Sequence, residues 1–594
     1  MSKQQRTPES AVLGGGLATT IPADVDGASW AALEPLYAEL LGREVATRPD
    51  LEAWLLDRGE LDASASEARA NIYIRMTCHT DDGNAVGAWT KYLDEVAPRL
   101  KSTSFQMDRR QCELFERVGL GSDPAQMPNE RYALLEKRTR REIELFREEN
   151  VPIETELAKL DQKYDAIIGA MMVNFDGAER TIPQLAKYLQ ETDRSVREKA
   201  WRATAERRLQ DKDAIDDIFD QMIERRQKLA KNVGYSNYRD YQHDAMLRFD
   251  YRPEDCFAFH DGVEQHVMPL VRKLDARRRE RLGVAPLRPW DLNVDELGRM
   301  PLRPFSSGQD LIDRSRKVFG SLDKELATMY QGLGDDVATP GGGANFDLDS
   351  RKGKAPGGYQ YMRDRSGMPF IFMNGAGLHR DVETMVHEAG HAFHSLLCQA
   401  EPLRPYRDYP IEFAEVASMS MELLSMPHWS AYYPSEDDAN RARRIQIEGS
   451  VSMLPWIATI DCFQQWIYTH EGHSRAERQA AWLEISRRFG HDVSWDGLND
   501  EEAWQWQRQS HLFGNPFYYV EYGIAQLGAL GLWLIALERG PAKAIELYKR
   551  ALTLGGSKPL PALFAAADLP FDFGPNAIGR IVEAVEKELA RLPE

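Results

Sequence analysis

The sequence predicts a predominantly α-helical protein carrying one small β element, and three observations lead there. Long stretches repeat apolar residues at three- and four-residue spacing among abundant charges, Tyr132–Phe146 being the plainest, which is the pattern of a half-buried helix. Strand-like runs are few and short: Val173–Arg180 around Asp176-Gly177, and the pair Gly357–Tyr361 and Pro369–Asn374 joined through Asp364-Arg365-Ser366-Gly367. The third observation is Val386–His394, VHEAGHAFH, where two histidines four residues apart lie inside a helical pattern directly after those strands.

In chain order, residues 1–27 are polar and Gly/Ala-rich and are expected to form a loose tail. Ala31 to Glu149 reads as long helices. The basic run Lys137–Arg141 has acids flanking it on the same helix, so it is a solvated face rather than a basic patch. Val173–Arg180 predicts a hairpin and Thr181–Gln184 a capping box opening the next helix, with helices continuing to about Leu282. Residues 283–307 carry Pro286, Pro289, Pro301 and Pro304 and read as a linker crossing the surface. A helix from about Gln309 to Tyr330 follows, then a break at Thr339–Gly343. This break and the proline-rich linker are the two candidate hinges. His470-Glu471-Gly472-His473 imitates a metal motif, but its histidines are three apart in a polar stretch, so a solvated turn is expected.

The chain has 594 residues, ample for a large core, and a net charge of −19. That balance argues against a nucleic-acid partner, which needs a basic footprint. Cys78, Cys112, Cys256, Cys398 and Cys462 are scattered and odd in number, with no CxxC pair, so neither a disulfide framework nor a thiolate metal site is indicated. No run approaches the length of a membrane span, and the start is too broken for a signal segment, so a cytoplasmic protein without a membrane partner is expected.

Two histidines four apart on a helix are separated by about 40° around the axis and about 6 Å along it. His387 and His391 can therefore converge on one ion. Neutral imidazole suits Zn²⁺, whose hydrolytic sites take three protein ligands and keep one position for water. Glu388 then stands as general base toward that water. Asp381 can cap this helix, Glu383 sits in its first turn, and Val386, Ala389, Phe393 and Leu396/Leu397 form its apolar stripe. His394 shares the face but lies about 10 Å along the axis from His387, so it is a residue behind the ligands or a core histidine. A second helix beginning at Asp408-Tyr409-Pro410 offers Glu412, Glu415 and Glu422, among which spacing alone does not choose. Ser510–Tyr522 clusters polar-tipped aromatics beside Gly514-Asn515-Pro516. Tyr O–H or His N–H groups there are of the type that stabilises a developing oxyanion.

HEAGHAFH followed by EFAEVASMSMELL resembles the thimet-type zinc oligopeptidases, most closely their oligoendopeptidase F branch. The segment QLAKYLQETDRSVREKAWRA and the WDL-type element Arg288–Leu292 resemble that branch too, so the likeness covers most of the chain from about residue 70. The resemblance implies a zincin-type catalytic domain over 206–594 and an N-terminal helical domain over 28–205, enclosing a channel for short peptides. It implies Glu415 as the third Zn²⁺ ligand and places Glu422 behind the ligands, orienting a ligand imidazole; the plainer reading of Glu422 is a surface carboxylate. It implies His511, Tyr518 and Tyr522 as oxyanion donors, although Ala525 stands where the thimet branch has a further tyrosine. Gly357, Gly358 and Tyr359 match a segment that holds an extended substrate through main-chain hydrogen bonds. The implied activity is zinc-dependent endopeptidase cleavage of short oligopeptides by a monomer or small homo-oligomer. Three alternatives stand beside it. A helical HExxH metallocarboxypeptidase or other exopeptidase would need a group for the terminal carboxylate, and no arginine near the motifs identifies itself as one. A zinc-containing peptide-binding protein without turnover would have no need of Glu388. Mn²⁺ or Co²⁺ could occupy the same ligands.

Overall fold

In the computed structural model, residues 19–119, 130–334, 345–351, 353–355 and 357–593 are described, and helices dominate. Residues 1–18 of the expected tail and the glycine-rich break at 339–343 lie outside them. The strands are β1 (Met172–Phe175), β2 (Ala178–Thr181), β3 (Phe346–Asp349), β4 (Tyr359–Arg363) and β5 (Met368–Gly375). The helices used below are α1 (Arg48–Cys78), α2 (Arg194–Leu209), α3 (Lys212–Val233), α4 (His379–Leu397), α5 (Ile411–Ser425), α6 (Glu436–Thr469) and α7 (Tyr519–Arg539). The chain forms two compact units, each assembled from separate segments. One comprises Met1–Glu148, Pro304–Pro434 and Gly531–Phe571; the other comprises Glu149–Arg303, Ser435–Leu530 and Asp572–Glu594. The boundary expected near residue 205 falls within α2, inside the second unit.

In the first unit, α1 opens on a reciprocal cap in which the Thr47 amide donates to Asp50 at 2.9 Å and the Asp50 amide donates to the Thr47 hydroxyl at 3.4 Å. Trp54, Leu61, Phe115 and Tyr132 fill the core along its first half. The tail is tied down from its first described residues, because the Thr20 amide donates to the buried Asp57 carboxylate at 2.7 Å. The second half of α1 carries the sheet, with Ile74 and Cys78 packed on Phe370 and Phe372. The sheet order is β3-β5-β4, with β5 parallel to β3 and antiparallel to β4. Central β5 is apolar along most of its length, as a strand covered on both faces must be. That leaves β4 as an edge. Strand β3 was not expected from the sequence. Its Asp347 is buried and is held by Arg351 at 2.6 Å and Lys354 at 2.9 Å, residues only four and seven positions on.

The single helix expected over Gln309–Tyr330 is two, Gly308–Leu322 and Lys324–Gly332. Asp323 breaks it: in an extended conformation it accepts hydrogen bonds from the amides of Glu325 at 3.0 Å and Leu326 at 3.1 Å, starting the second helix afresh.

In the second unit β1 and β2 form the expected hairpin, with Asp176 and Gly177 both at positive φ in its two-residue turn. The proline-rich segment does not run over the surface as expected. Leu287, Trp290, Val294 and Leu302 are buried in it, and fully buried Asp291 accepts from Arg194 at 2.7 Å and Arg197 at 3.0 Å on α2. His470 and His473 cap the end of α6 by hydrogen bonds to the carbonyls of Trp466 and His470, each at 2.8 Å, in keeping with a turn. Among the described residues one helix, α7, is long and apolar enough to cross a membrane, contrary to the sequence reading, and 72% of its apolar window is buried within the protein.

Candidate functional site

Helix α4 starts two residues before Asp381, which caps it from its third position by accepting the amides of Ala376 at 2.7 Å and Leu378 at 2.8 Å. Val386, Ala389 and Phe393 are buried on one side. Against that helix lies α5, and the two come close together at Gly390, where a Cβ would sit 2.6 Å from Ser418 Cα and 2.7 Å from the Ala417 carbonyl oxygen. Only glycine permits that spacing, and the spacing brings Glu415 to the histidine face.

His387 Nε2 lies 3.3 Å and His391 Nε2 3.5 Å from Glu415 Oε2. Ligands at about 2.0–2.1 Å from a tetrahedral Zn²⁺ are separated by about 3.3–3.4 Å, so these three atoms fit one such ion. Among the described residues this is the one group of three or more His, Cys, Asp or Glu with ligand atoms close enough to hold a metal. Glu415 is oriented by the Ser418 hydroxyl, which donates to its Oε2 at 2.9 Å. Glu422 Oε1 is 2.7 Å from His387 Nδ1, so Nδ1 carries the proton toward Glu422 and Nε2 faces the ligand position. Burial opposes a charge on His387, but Glu415 and Glu422 outweigh it and raise its pKa well above the ordinary value. His391 has only Glu415 to offset burial and is pushed down to about 4.

Glu388 is buried, and its Oε2 has no hydrogen-bond partner among the described residues. Burial pushes this carboxyl up to about 7; His387 opposes the shift, the Glu415 carboxylate adds to it, and the Gln360 amide on β4 opposes it. A carboxyl titrating there suits proton transfer near neutral pH. β4 begins close beside Glu388: a Cβ on Gly358 would lie 3.7 Å from Glu388 Oε1 and 3.1 Å from the Thr384 methyl. Gly357 stands at φ +94°, in the left-handed region that glycine occupies freely. Tyr359 turns the other way, with its ring stacked on Phe372 at 4.7 Å and its hydroxyl 2.6 Å from that of Thr77 on α1. His394 is fully buried and stacked on Tyr409 with ring centroids 3.4 Å apart, and neither ring nitrogen has a hydrogen-bond partner among the described residues. It therefore packs as a core histidine, which burial keeps neutral.

The second unit gathers the remaining candidates. The ring of His511 lies 5.7 Å from Tyr518 and 5.8 Å from Tyr522, and those two tyrosines are 5.2 Å apart. Ala525 is buried in α7. The Trp456 indole N–H donates to Gln509 Oε1 at 2.9 Å, and Gln509 Nε2 lies 2.8 Å from His511 Nδ1. An indole N–H can only donate, so Gln509 offers its NH₂ to His511. His511 Nδ1 is then the acceptor and Nε2 carries the proton of the neutral ring.

The loop beneath this cluster is held by residues that sequence reasoning did not single out. Arg226 on α3 donates to the Leu512 carbonyl at 2.9 Å and also to that of Phe513. Arg248 donates to the Phe517 carbonyl at 2.5 Å and pairs with buried Glu521 at 2.7 Å. Gln464 on α6 accepts the Phe517 amide at 2.6 Å. Phe517 needs these bonds because it sits at φ +65°, a strained conformation for a side chain of its size. No local signal marks these residues, which stand 50 to nearly 300 positions from the groups they hold.

The family description Peptidase family M3 matches residues 187–571. The oligoendopeptidase F homolog of Lactococcus lactis subsp. lactis (strain IL1403) is 24% identical over 411 residues, 61% of this chain and 64% of that protein. The oligopeptidase PepF of Bacillus subtilis (strain 168) is 23% identical over 397 residues, 64% of this chain and 55% of the relative. These alignments thus span less than two thirds of the relatives' own length. The solved structure of PZ peptidase A with an inhibitor superimposes with a TM-score of 0.86 at 26% identity, covering 95% of this chain and 98% of that one.

Proposed function

The chain belongs to peptidase family M3, and from that premise we propose that it is a zinc-dependent endopeptidase acting on internal bonds of short oligopeptides. The observation that supports this reading most directly is the meeting of His387 Nε2, His391 Nε2 and Glu415 Oε2 beside a buried, unpartnered Glu388 oxygen. His387, His391 and Glu415 would hold the ion, which when bound supplies a Lewis acid and makes water a nucleophile at neutral pH. Glu422 and Ser418 fix two of these ligands. Glu388 takes the proton from the attacking water and passes it to the leaving amine as the C–N bond breaks. Its raised pKa serves both halves of that transfer. His511 presents its Nε2–H and, with Tyr518 and Tyr522, is assigned to the oxyanion of the tetrahedral intermediate. The free edge of β4 beside Glu388 is assigned to the substrate main chain, the backbone at 357–360 making the contacts while Tyr359 anchors the strand.

The test is an internally quenched peptide blocked at both ends, incubated with the protein, with chelator, and with Zn²⁺ restored. Cleavage at an internal bond that chelation abolishes and zinc restores is expected. Trimming only of peptides with free ends would replace this reading with an exopeptidase. Zinc binding without any cleavage would leave a peptide-binding protein.

A further inference from the structure

The second unit contains a cleft of about 90 Å³ whose lining includes Arg208 on α2 and Arg508, with Trp201, Trp504, Ile168 and Met171 forming apolar walls. The arginines are set apart by what they lack. Neighbouring guanidiniums are fully engaged: Arg197 and Arg194 on Asp291, Arg478 on Asp216 and Asp220, Arg248 on Glu521. Arg208 and Arg508 have no ion pair and no side-chain hydrogen bond among the described residues, and Glu501, the one carboxylate in the lining, pairs with neither. Arg508 rests instead on the face of Trp456, its guanidinium carbon 4.6 Å from the ring centroid.

Two like charges held in one cleft without a counter-ion are a cost the chain does not offset from its own residues. The surrounding protein lowers the pKa of both, and Arg208 adds to the effect on Arg508, which is pushed down to about 10 even though solvent reaches its side chain. Such a pair is an anion site in waiting, because guanidinium forks match a carboxylate bidentately. The flanking indoles and aliphatic groups fit an apolar side chain on the same molecule. The cleft also adjoins the cluster assigned above to catalysis. Arg508 precedes Gln509, the residue bonded to His511, and its charge is felt by Tyr519, whose ring lies 5.1 Å from that of His511.

We propose that Arg208 and Arg508 bind a carboxylate of the peptide substrate, with an adjoining apolar side chain between Trp201 and Trp504. This rests on the peptidase reading and deepens it. A peptide anchored by its terminal carboxylate is cut at a fixed distance from that end, and one anchored by an Asp or Glu side chain is cut at a fixed distance from that residue. No arginine beside the motifs stands out for this part; the fold brings together two that are 300 positions apart.

The test compares N-acetylated peptides of one sequence ending in phenylalanine, as free acid and as amide, together with an amide carrying a Glu near its end. Binding is measured by calorimetry to the Glu388→Gln protein, with Arg208→Gln and Arg508→Gln added singly, and KM is measured on the corresponding proteins with Glu388 intact. The free acid is expected to bind at least about tenfold more tightly than the amide, as charge-assisted bonds do. Either arginine substitution should bring that ratio close to one, with the change in KM. Recovery of affinity in the Glu-containing amide would assign the site to side-chain carboxylates, and no recovery would assign it to the terminus. Equal affinity of acid and amide, or an undiminished ratio in both folded variants, overturns the proposal. Calorimetry does not depend on turnover, so loss of the peptidase reading shows up as absent cleavage while the acid-to-amide ratio is read separately.

Discussion

Replacing Gly390 by alanine tests the geometry of the metal group most sharply, because two physical effects predict opposite results. Within a helix, Gly→Ala by itself stabilises by about 1 kcal/mol. Here the added methyl would lie 2.6 Å from Ser418 Cα and 2.7 Å from the Ala417 carbonyl oxygen, where ordinary contact begins at 3.4 Å. Both neighbours are backbone, so no side chain can swing aside, and α4 and α5 must part by about 0.8 Å. Overpacking of this kind costs about 1–3 kcal/mol; with a backbone obstacle the upper end applies, leaving a net loss of about 2 kcal/mol. The same movement stretches the 3.3 and 3.5 Å separations between Glu415 and the histidines. Metal sites tolerate only about 0.2 Å in their ligand distances, so zinc affinity should fall by at least about tenfold. Denaturant unfolding of the metal-free protein and zinc competition with a chromophoric chelator measure the two quantities separately. A Gly390→Ala protein that is more stable than wild type and binds zinc equally well would refute the close-approach argument.

Glu388→Gln should keep zinc bound while lowering kcat by about 10²–10⁴-fold, the usual contribution of a general base; a variant retaining near-full activity, shown free of wild-type protein by mass spectrometry, removes Glu388 from the mechanism. Glu422→Gln should weaken zinc retention by about 10–100-fold, read in the same chelator competition, and unchanged retention would make Glu422 a bystander. Burial, with Asp165 adding to it, pushes Asp161 up to about 6 from an ordinary 3.8. The folded state therefore binds the proton more tightly than the unfolded state, so this group's contribution to stability falls as pH rises from about 3.8 to about 6 and stays low above it. Asp161→Asn removes that fall and should raise stability at pH 7.5 by about 1–3 kcal/mol while leaving it nearly unchanged at pH 3.5. Parallel stability profiles for the two proteins between those pH values would show that Asp161 is not the source.

What could be read from the sequence was what repeats locally. The pitch of a helix puts His387 and His391 on one face, and alternation around Asp176-Gly177 makes a hairpin, so both emerged from spacing alone. Glu415 was one of three acids on its helix until the resemblance selected it, because the crossing at Gly390 that brings it to the histidines is a property of two helices. β3 went unseen since its four residues stand without the two-residue turn and adjoining strand that mark a hairpin; it pairs with β5 across the chain, and Lys354 and Arg351 grip its Asp347. Asp323 hides inside a helical pattern because a cap and a helix interior can carry the same residue. The proline-rich segment looked solvent-facing by composition, whereas Trp290 and Asp291 bind it to α2. Arg208 and Arg508 were invisible for a different reason: a charge without a partner can be recognised only once all the other partners are in place.

The straps on the His511 loop bear on the order in which the molecule can be completed. Arg226 and Arg248 are synthesised more than 260 residues before the carbonyls they hold, and the whole of α4 and α5 is made in between. A nascent chain reaches its histidine-and-glutamate group while the segment that will carry Tyr518 and Tyr522 does not yet exist. When that segment emerges, the left-handed conformation of Phe517 depends on Arg248 and Gln464, both made earlier in the chain. Long-range closure of this sort is slow. The unit that carries the histidine-and-glutamate group is itself completed only later, by Gly531–Phe571, whose Tyr548 donates to the Ala417 carbonyl at 3.0 Å, so a chain ending before residue 511 lacks both the donors assigned to stabilise the oxyanion and part of the packing behind the metal group.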